Sequence, residues 1–228
     1  MYDLYIGNKN YSSWSLRPWV LLRELAIPFR EILVPFEGSA NPNAFRRFSP
    51  TGKVPCLVDD AITVWDSMAI TEYVAERHSG VWPAAASARA FARCAAAEMH
   101  SGFFGLRNTC TMNCGIRVAL HGVDAALAGD LARLEALWAE GLERFGGPFL
   151  AGARLTAADA FFAPVAFRIQ TYDPPLADAA RQYATRLRAL PSMQAWYAAA
   201  LAETWRDEEH EVEARAVGTW RQDLRAGS

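Results

Sequence analysis

The sequence predicts an α/β N-terminal domain of order βαβαββα over residues 1–80, followed by an all-α helical domain over residues 85–228. Three observations carry this reading. Short β-like runs interleave with helix-periodic ones as far as Gly80. A Gly/Pro break follows at Ser79 to Pro83. Beyond it, Ala-rich helix-periodic sequence continues almost to the end with no convincing strand.

Asp3 to Gly7 alternates as a short strand does, and polar Asn8 to Ser13 reads as a loop. From Ser15 to Leu25 the apolar residues Leu16, Trp19, Val20, Leu22 and Leu25 recur at helical spacing, with Pro18 expected in the first turn, where its missing N–H has no intrahelical partner. Arg30 to Val34 is β-like, Asn43 to Phe48 is a short helical stretch, and Ser49-Pro50-Thr51-Gly52 is a turn signal. Val54 to Val58 and Ile62 to Trp65 flank Asp59-Asp60-Ala61 as a hairpin, and Ser67 to His78 is amphipathic. Helices are expected over 86–114, 124–145, 156–170, 178–189 and 191–206, separated by Gly-Gly-Pro, Asp-Pro-Pro and Leu-Pro breakers. The charged segment from Arg206 to Ser228 reads as helix or disorder.

Composition narrows the function classes. The 228 residues are 52% hydrophobic and 21% charged, a globular balance. With 23 basic against 25 acidic residues, the net charge of -2 gives no pull toward nucleic acid or an anionic membrane. No apolar run reaches spanning length and MYDLYIGNKN is not a leader, so a cytoplasmic protein is expected. Cys56, Cys94, Cys110 and Cys114 form no C-x-x-C pair, which suits a reducing compartment. Cys110 and Cys114 lie four apart on an expected helix, with His100 and His121 the nearest imidazoles; packing outweighs a metal or redox pair, and no metal is expected.

Three segments carry chemistry. Ser12-Ser13-Trp14-Ser15-Leu16-Arg17 puts three hydroxyls at the turn into the first helix, where unpaired N–H groups and the macrodipole stabilise an anion such as a thiolate. Taken alone, serines before a helix are far more often simple N-caps, and the segment does not choose among Ser12, Ser13 and Ser15. In Thr51-Gly52-Lys53-Val54-Pro55-Cys56-Leu57 a proline opens a strand and is a candidate cis bond, which would present the Val54 backbone to a peptide-like ligand. Asp66-Ser67 begins the helix after the hairpin, where the helix N-terminus receives a carboxylate and the acid holds an ammonium.

In this order and on this framework the segments resemble the glutathione S-transferases over nearly the whole chain, with a thioredoxin-like N-terminal domain. The resemblance implies that Ser12, five residues before Arg17, meets the glutathione sulfur as the catalytic hydroxyl with Ser13 beside it. It implies that Val54, before cis Pro55, pairs with the cysteinyl backbone, that Lys53 meets the glycyl carboxylate, and that Asp66 and Ser67 hold the γ-glutamyl end. The serine run looks most like the zeta class, which includes maleylacetoacetate isomerases, with Trp14 where that class has cysteine. Tyr5 stands out of register with the tyrosine that other branches use. Leu155-Thr156-Ala157-Ala158-Asp159 matches the family's Thr-x-x-Asp helix start, a reciprocal cap rather than a catalytic feature.

The expected activity is thus addition of a serine-activated glutathione thiolate to a small hydrophobic electrophile. A glutathione-dependent cis-trans isomerase and a non-catalytic binding protein on the same fold are the alternatives; a thiol oxidoreductase lacks a cysteine at the head of the first helix. The electrophile is expected against Met99, His100, Phe103, Phe104 and Arg107, with Arg168 a further candidate for an acidic substrate. His100, Phe103 and Arg107 are the named pocket residues. Glutathione is the expected co-substrate, and the family implies a homodimer.

Overall fold

Strand β1 (Tyr2–Ile6) alternates buried Tyr2, Leu4 and Ile6 with half-buried Asp3 and Tyr5, the period of a strand covered on one face. The computed structural model of the chain describes residues 1–36 and 42–225. β1 runs parallel to β2 (Phe29–Leu33) and antiparallel to β3 (Cys56–Asp59), and β4 (Ile62–Val64) folds back on β3, so the sheet order is β2-β1-β3-β4. A parallel pair needs a crossover, and α1 (Ser13–Glu24) supplies it. α2 (Pro42–Arg46) and α3 (Ser67–Ala75) complete the βαβαββα order of a thioredoxin-like domain.

α1 starts at Ser13, two residues before the expected position, because Ser12 already accepts from the Ser15 N–H as N-cap. Pro18 therefore lies in the second turn rather than the first, where it has no N–H to give the Trp14 carbonyl.

The C-terminal half is helical: α4 (Ala86–Ser101), α5 (Phe104–Thr109), α6 (Ala125–Arg144), α7 (Ala157–Tyr172), α8 (Asp178–Arg188), α9 (Pro191–Ala202) and α10 (Glu208–Val217). α7 is its axis, buried at every position except Gln170 and packed on α1, α4 and α8. The Thr156/Asp159 capping box starts it. The Asp159 carboxylate also accepts from the Leu150 N–H at 2.9 Å and the Tyr183 hydroxyl at 2.7 Å, so it ties α7 to the preceding turn and to α8. Burial still raises its pKa, although those bonds all oppose the rise.

Two expectations for this half are corrected. The helix expected over 86–114 stops at Ser101, because Gly102 takes an extended backbone and Phe103 a left-handed one (φ 56°), and α5 then leaves in a new direction. A Cβ on Gly105 would lie 2.6 Å from the Ala126 backbone, so only glycine lets α5 approach α6 this closely. Cys110 and Cys114 consequently lie beyond α5, not on a helix, and burial raises the pKa of both thiols, to about 12 for Cys110.

The half also contains strands. β5 (Ile116–Leu120) pairs antiparallel with β6 (Gly218–Asp223), so the charged C-terminal segment is a helix followed by a strand as far as it is described; residues 226–228 lie outside the described residues. No described helix is long and apolar enough to cross a membrane.

Candidate functional site

The loop Asn8 to Ser12 carries the chain from β1 into α1 and is fixed from both sides. On the N-terminal side the Ser12 hydroxyl donates to Ser15 Oγ at 2.7 Å, and Ser15 Oγ accepts the Gly7 N–H at 3.1 Å. On the C-terminal side the Lys9 and Asn10 N–H groups donate to the Glu203 carboxylate at 2.6 and 3.2 Å, and Trp196 Nε1 donates to the Lys9 carbonyl at 2.8 Å. The Tyr11 hydroxyl donates to Glu211 Oε1 on α10 at 2.5 Å, and Glu211 is paired with buried Arg225. Burial raises the Glu211 pKa, but the hydrogen bonds from Arg225 and Tyr11 outweigh it and leave the carboxyl below its ordinary value. Sequence reasoning missed Glu203, Glu211 and Arg225, whose partners lie about two hundred residues away in the chain.

Two cavities meet at this loop and share Trp14, Lys53 and Val54. One, of about 410 Å³, runs along Thr51, Val54 and Pro55 to Asp66, Ser67 and His100. The other, of about 470 Å³, opens between Ser12 and Ser13 on one side and Arg107, Asn108, Thr111 and Arg168 on the other. Both are of the size that takes a small molecule.

The Val54–Pro55 peptide is cis, and Val54 precedes the part of β3 paired with β1, whose register begins at Cys56. Asp66, rather than Ser67, is the N-cap of α3: its side chain accepts the Met68 N–H at 2.9 Å. Ser67 is fully buried, and its hydroxyl has no hydrogen-bond partner among the described residues. A buried, unpaired hydroxyl at a helix N-terminus that borders a cavity is poised for an acceptor from outside the chain. Lys53 is exposed at the rim shared by both cavities.

The expected substrate-pocket residues divide. Arg107 lines the larger cavity. His100 lies in the smaller one instead, with Nε2 3.3 Å from Asp66; burial lowers its pKa, Asp66 opposes that, and Arg17 and Arg107 reinforce it. The expected pocket residue Phe103 lies in the core instead: it is 5% exposed, lies edge-on to Phe162 and lines neither cavity. Met99 is also core, whereas Phe104 is exposed. Tyr5 stacks on Phe48 and is absent from both linings.

Arg17 is more than a spacing mark. It is 1% exposed, its guanidinium lies 4.0 Å from the Trp14 ring centroid, and its Nε and Nη1 have no hydrogen-bond partner among the described residues. Burial depresses its pKa, with Arg107 and Arg168 adding to the effect and Asp66 opposing it. An arginine between Leu16 and Trp19 on an apolar helix face was the available signal. Cys56, near the smaller cavity, has its thiol pushed up to about 11 by burial, which leaves it a poor nucleophile. Among the described residues no cluster of three or more His, Cys, Asp or Glu side chains could hold a metal ion.

Comparison with known proteins agrees with this architecture. A model of the glutathione S-transferase N-terminal domain matches residues 11–77, and one of the C-terminal domain matches residues 117–199, together well over half of the chain. The dichloromethane dehalogenase of Methylorubrum extorquens is 42% identical over 59 residues, a match that spans 25% of this chain and 20% of the relative's own length. Among solved structures, a glutathione transferase homolog from Burkholderia with bound glutathione superposes with a TM-score of 0.66 at 24% identity, covering 87% of this chain and 97% of that one. The theta class glutathione S-transferase of Xanthomonas axonopodis pv. citri, also with glutathione bound, gives 0.64 at 24% identity over 86% of this chain and 96% of that one. At those identities the superpositions establish the fold, and the two domain models establish the rest: the chain belongs to the glutathione S-transferase family.

Proposed function

We propose that this chain is a working glutathione transferase in which Ser12 activates the thiolate for attack on a small electrophile. The observation that carries the reading is the Ser12 hydroxyl, standing at the N-cap of α1 and bordering the larger cavity. Glutathione would lie along the smaller cavity, its γ-glutamyl carboxylate at the unpaired Ser67 hydroxyl and the α3 N-terminus, and its ammonium at Asp66. The cysteinyl backbone would pair with Val54, Lys53 would meet the glycyl carboxylate, and the sulfur would reach Ser12 with Ser13 at its side.

A free thiol has a pKa of about 8.5, so lowering it by about two units requires about 2.7 kcal/mol of preferential stabilisation of the anion. A hydroxyl hydrogen bond to a charged acceptor supplies about 1.5–3 kcal/mol and a helix N-terminus about 0.3–1. In this reading the Ser12 proton turns from Ser15 Oγ to the sulfur, and the Ser15 hydroxyl can donate to Ser12 in return. Buried Arg17 adds positive potential behind the loop. The sulfur lone pair then attacks the electrophilic carbon, the leaving group departs with its bonding electrons, and the thiol proton has gone to solvent.

Calorimetry tests the binding half of the proposal: micromolar to millimolar affinity for glutathione supports it. No heat at millimolar glutathione would leave a protein that keeps the fold for another purpose. The homodimer that the family implies is read separately, by sedimentation.

A further inference from the structure

Three arginines are buried in this chain, and they are treated differently. Arg225 is neutralised by two carboxylates, Glu211 and Asp223. Arg17 and Arg168 form no ion pair with any described residue, although an uncompensated guanidinium inside a protein is costly. Arg168 is 5% exposed, borders the larger cavity, and donates through Nη1 to the Arg107 and Cys110 carbonyls, while its Nε has no partner among the described residues. Half-buried Arg107 lines the same cavity. Its Nη1 makes only long bonds, 3.3 and 3.4 Å, to the His100 and Gly102 carbonyls, and its guanidinium lies 4.5 Å from the Trp14 ring centroid. Arg17 is repelled by both Arg107 and Arg168, and burial, with repulsion from Arg107, brings the Arg168 pKa down to about 10.

Among the described residues, the carboxylates near them are Asp66, which faces Arg17 from the smaller cavity, and exposed Glu213 on α10, which borders the larger cavity. Among the described residues the site therefore holds more buried positive charge than the carboxylates beside it balance. A glutathione thiolate at Ser12 would answer Arg17. It leaves Arg107 and Arg168 on the opposite wall.

We propose that the second substrate is an anionic electrophile whose carboxylate docks between Arg107 and Arg168, with its reactive carbon turned toward Ser12. The proposal rests on the transferase reading and sharpens it, replacing a purely hydrophobic electrophile by an acid. Arg168 supplies a buried donor held by two carbonyls, and Arg107 a half-buried one over the Trp14 ring, the pairing that recognises a planar anion. For an aryl chloride bearing a carboxylate, a carbon–sulfur bond forms, the carbon–chlorine bond breaks, and chloride leaves with the electron pair.

The test compares 4-chloro-3,5-dinitrobenzoate with its neutral carboxamide. Wild type is expected to prefer the acid in kcat/KM by at least about tenfold after correction for intrinsic reactivity, and Arg107→Met and Arg168→Lys to bring the ratio down toward one, mainly through KM. Arg107→Met carries the test if changes at buried Arg168 impair folding. Equal handling of acid and amide by wild type would overturn the proposal. So would a loss of glutathione affinity, rather than acid affinity, in Arg107→Met, because that would assign the arginines to glutathione's own carboxylates. Calorimetry of 3,5-dinitrobenzoate on glutathione-saturated protein separates this question from turnover: binding that Arg107→Met weakens about tenfold or more supports the subsite even without transfer, and no binding to wild type removes it.

Discussion

The two walls of the cleft are built in opposite ways. The N-terminal wall is assembled from chain junctions: Ser12 and Ser13 where β1 becomes α1, Val54 and Pro55 at the entry to β3, Asp66 and Ser67 at the start of α3. Each is a short local motif, and its donors are mostly hydroxyls and helix N-termini. The C-terminal wall has no such motif. Arg107 and Asn108 come from α5, Arg168 from α7 and Glu213 from α10, brought together by packing of helices far apart in the chain. In the proposed function the constant ligand, glutathione, is read by junctions, whereas the wall that would face the second substrate depends on how the helices settle.

If the walls are separable, damage to α7 should move the second without erasing the first. The largest effect expected is that of Asp159→Ala, which strands the Leu150 and Thr156 N–H groups and the Tyr183 hydroxyl; it should cost about 3–5 kcal/mol, read as a shift of the urea midpoint at constant m-value. Next comes Ser12→Ala, expected to lower kcat/KM by about 100- to 1000-fold while leaving thermal stability within about 1 kcal/mol, a size typical of a lost anion-stabilising donor. Equal loss of stability and activity would merge the two walls into one.

Glu211→Gln sits where they touch, since Glu211 links Tyr11 of the loop to Arg225. It should cost about 1–3 kcal/mol. Its sign with pH is opposite to that of Asp159. Glu211 titrates below its ordinary value in the folded chain, so its stabilisation is present above about pH 4.5 and is lost as pH falls through the lowered folded value. Asp159 titrates above its ordinary value, so it makes stability rise as pH falls through that raised value toward the unfolded one. Stability against pH should therefore fall less steeply in acid for Glu211→Gln than for wild type. The smallest effect is expected from Lys53→Met, an exposed cation whose loss should raise the glutathione Kd by about two- to fivefold.

The same contrast explains what was legible in the sequence. The βαβαββα order and the approximate bounds of α6 through α9 followed from periodicity and Gly/Pro punctuation, because those elements are stabilised by their own local pattern. A lone glycine such as Gly102 in an Ala-rich helical stretch reads as a tolerated interruption, so periodicity alone does not reveal that the helix ends there or that Phe103 packs in the core. β5 escaped because only Ile116 and Val118 alternate inward and their partner strand begins at Gly218. Ser12, Val54 and Ser67 could be named because junction chemistry is local. That Arg17 and Arg168 form no ion pair among the described residues could not, because such a lack is visible only after packing.

The most direct test of the account is the ultraviolet absorbance of the glutathione thiolate bound to wild type and to Ser12→Ala, followed against pH. The account predicts a bound thiol pKa about two units below that of free glutathione in wild type, returning most of the way in the variant while glutathione still binds. An unshifted pKa in wild type, or the same lowered value in both proteins, would contradict it.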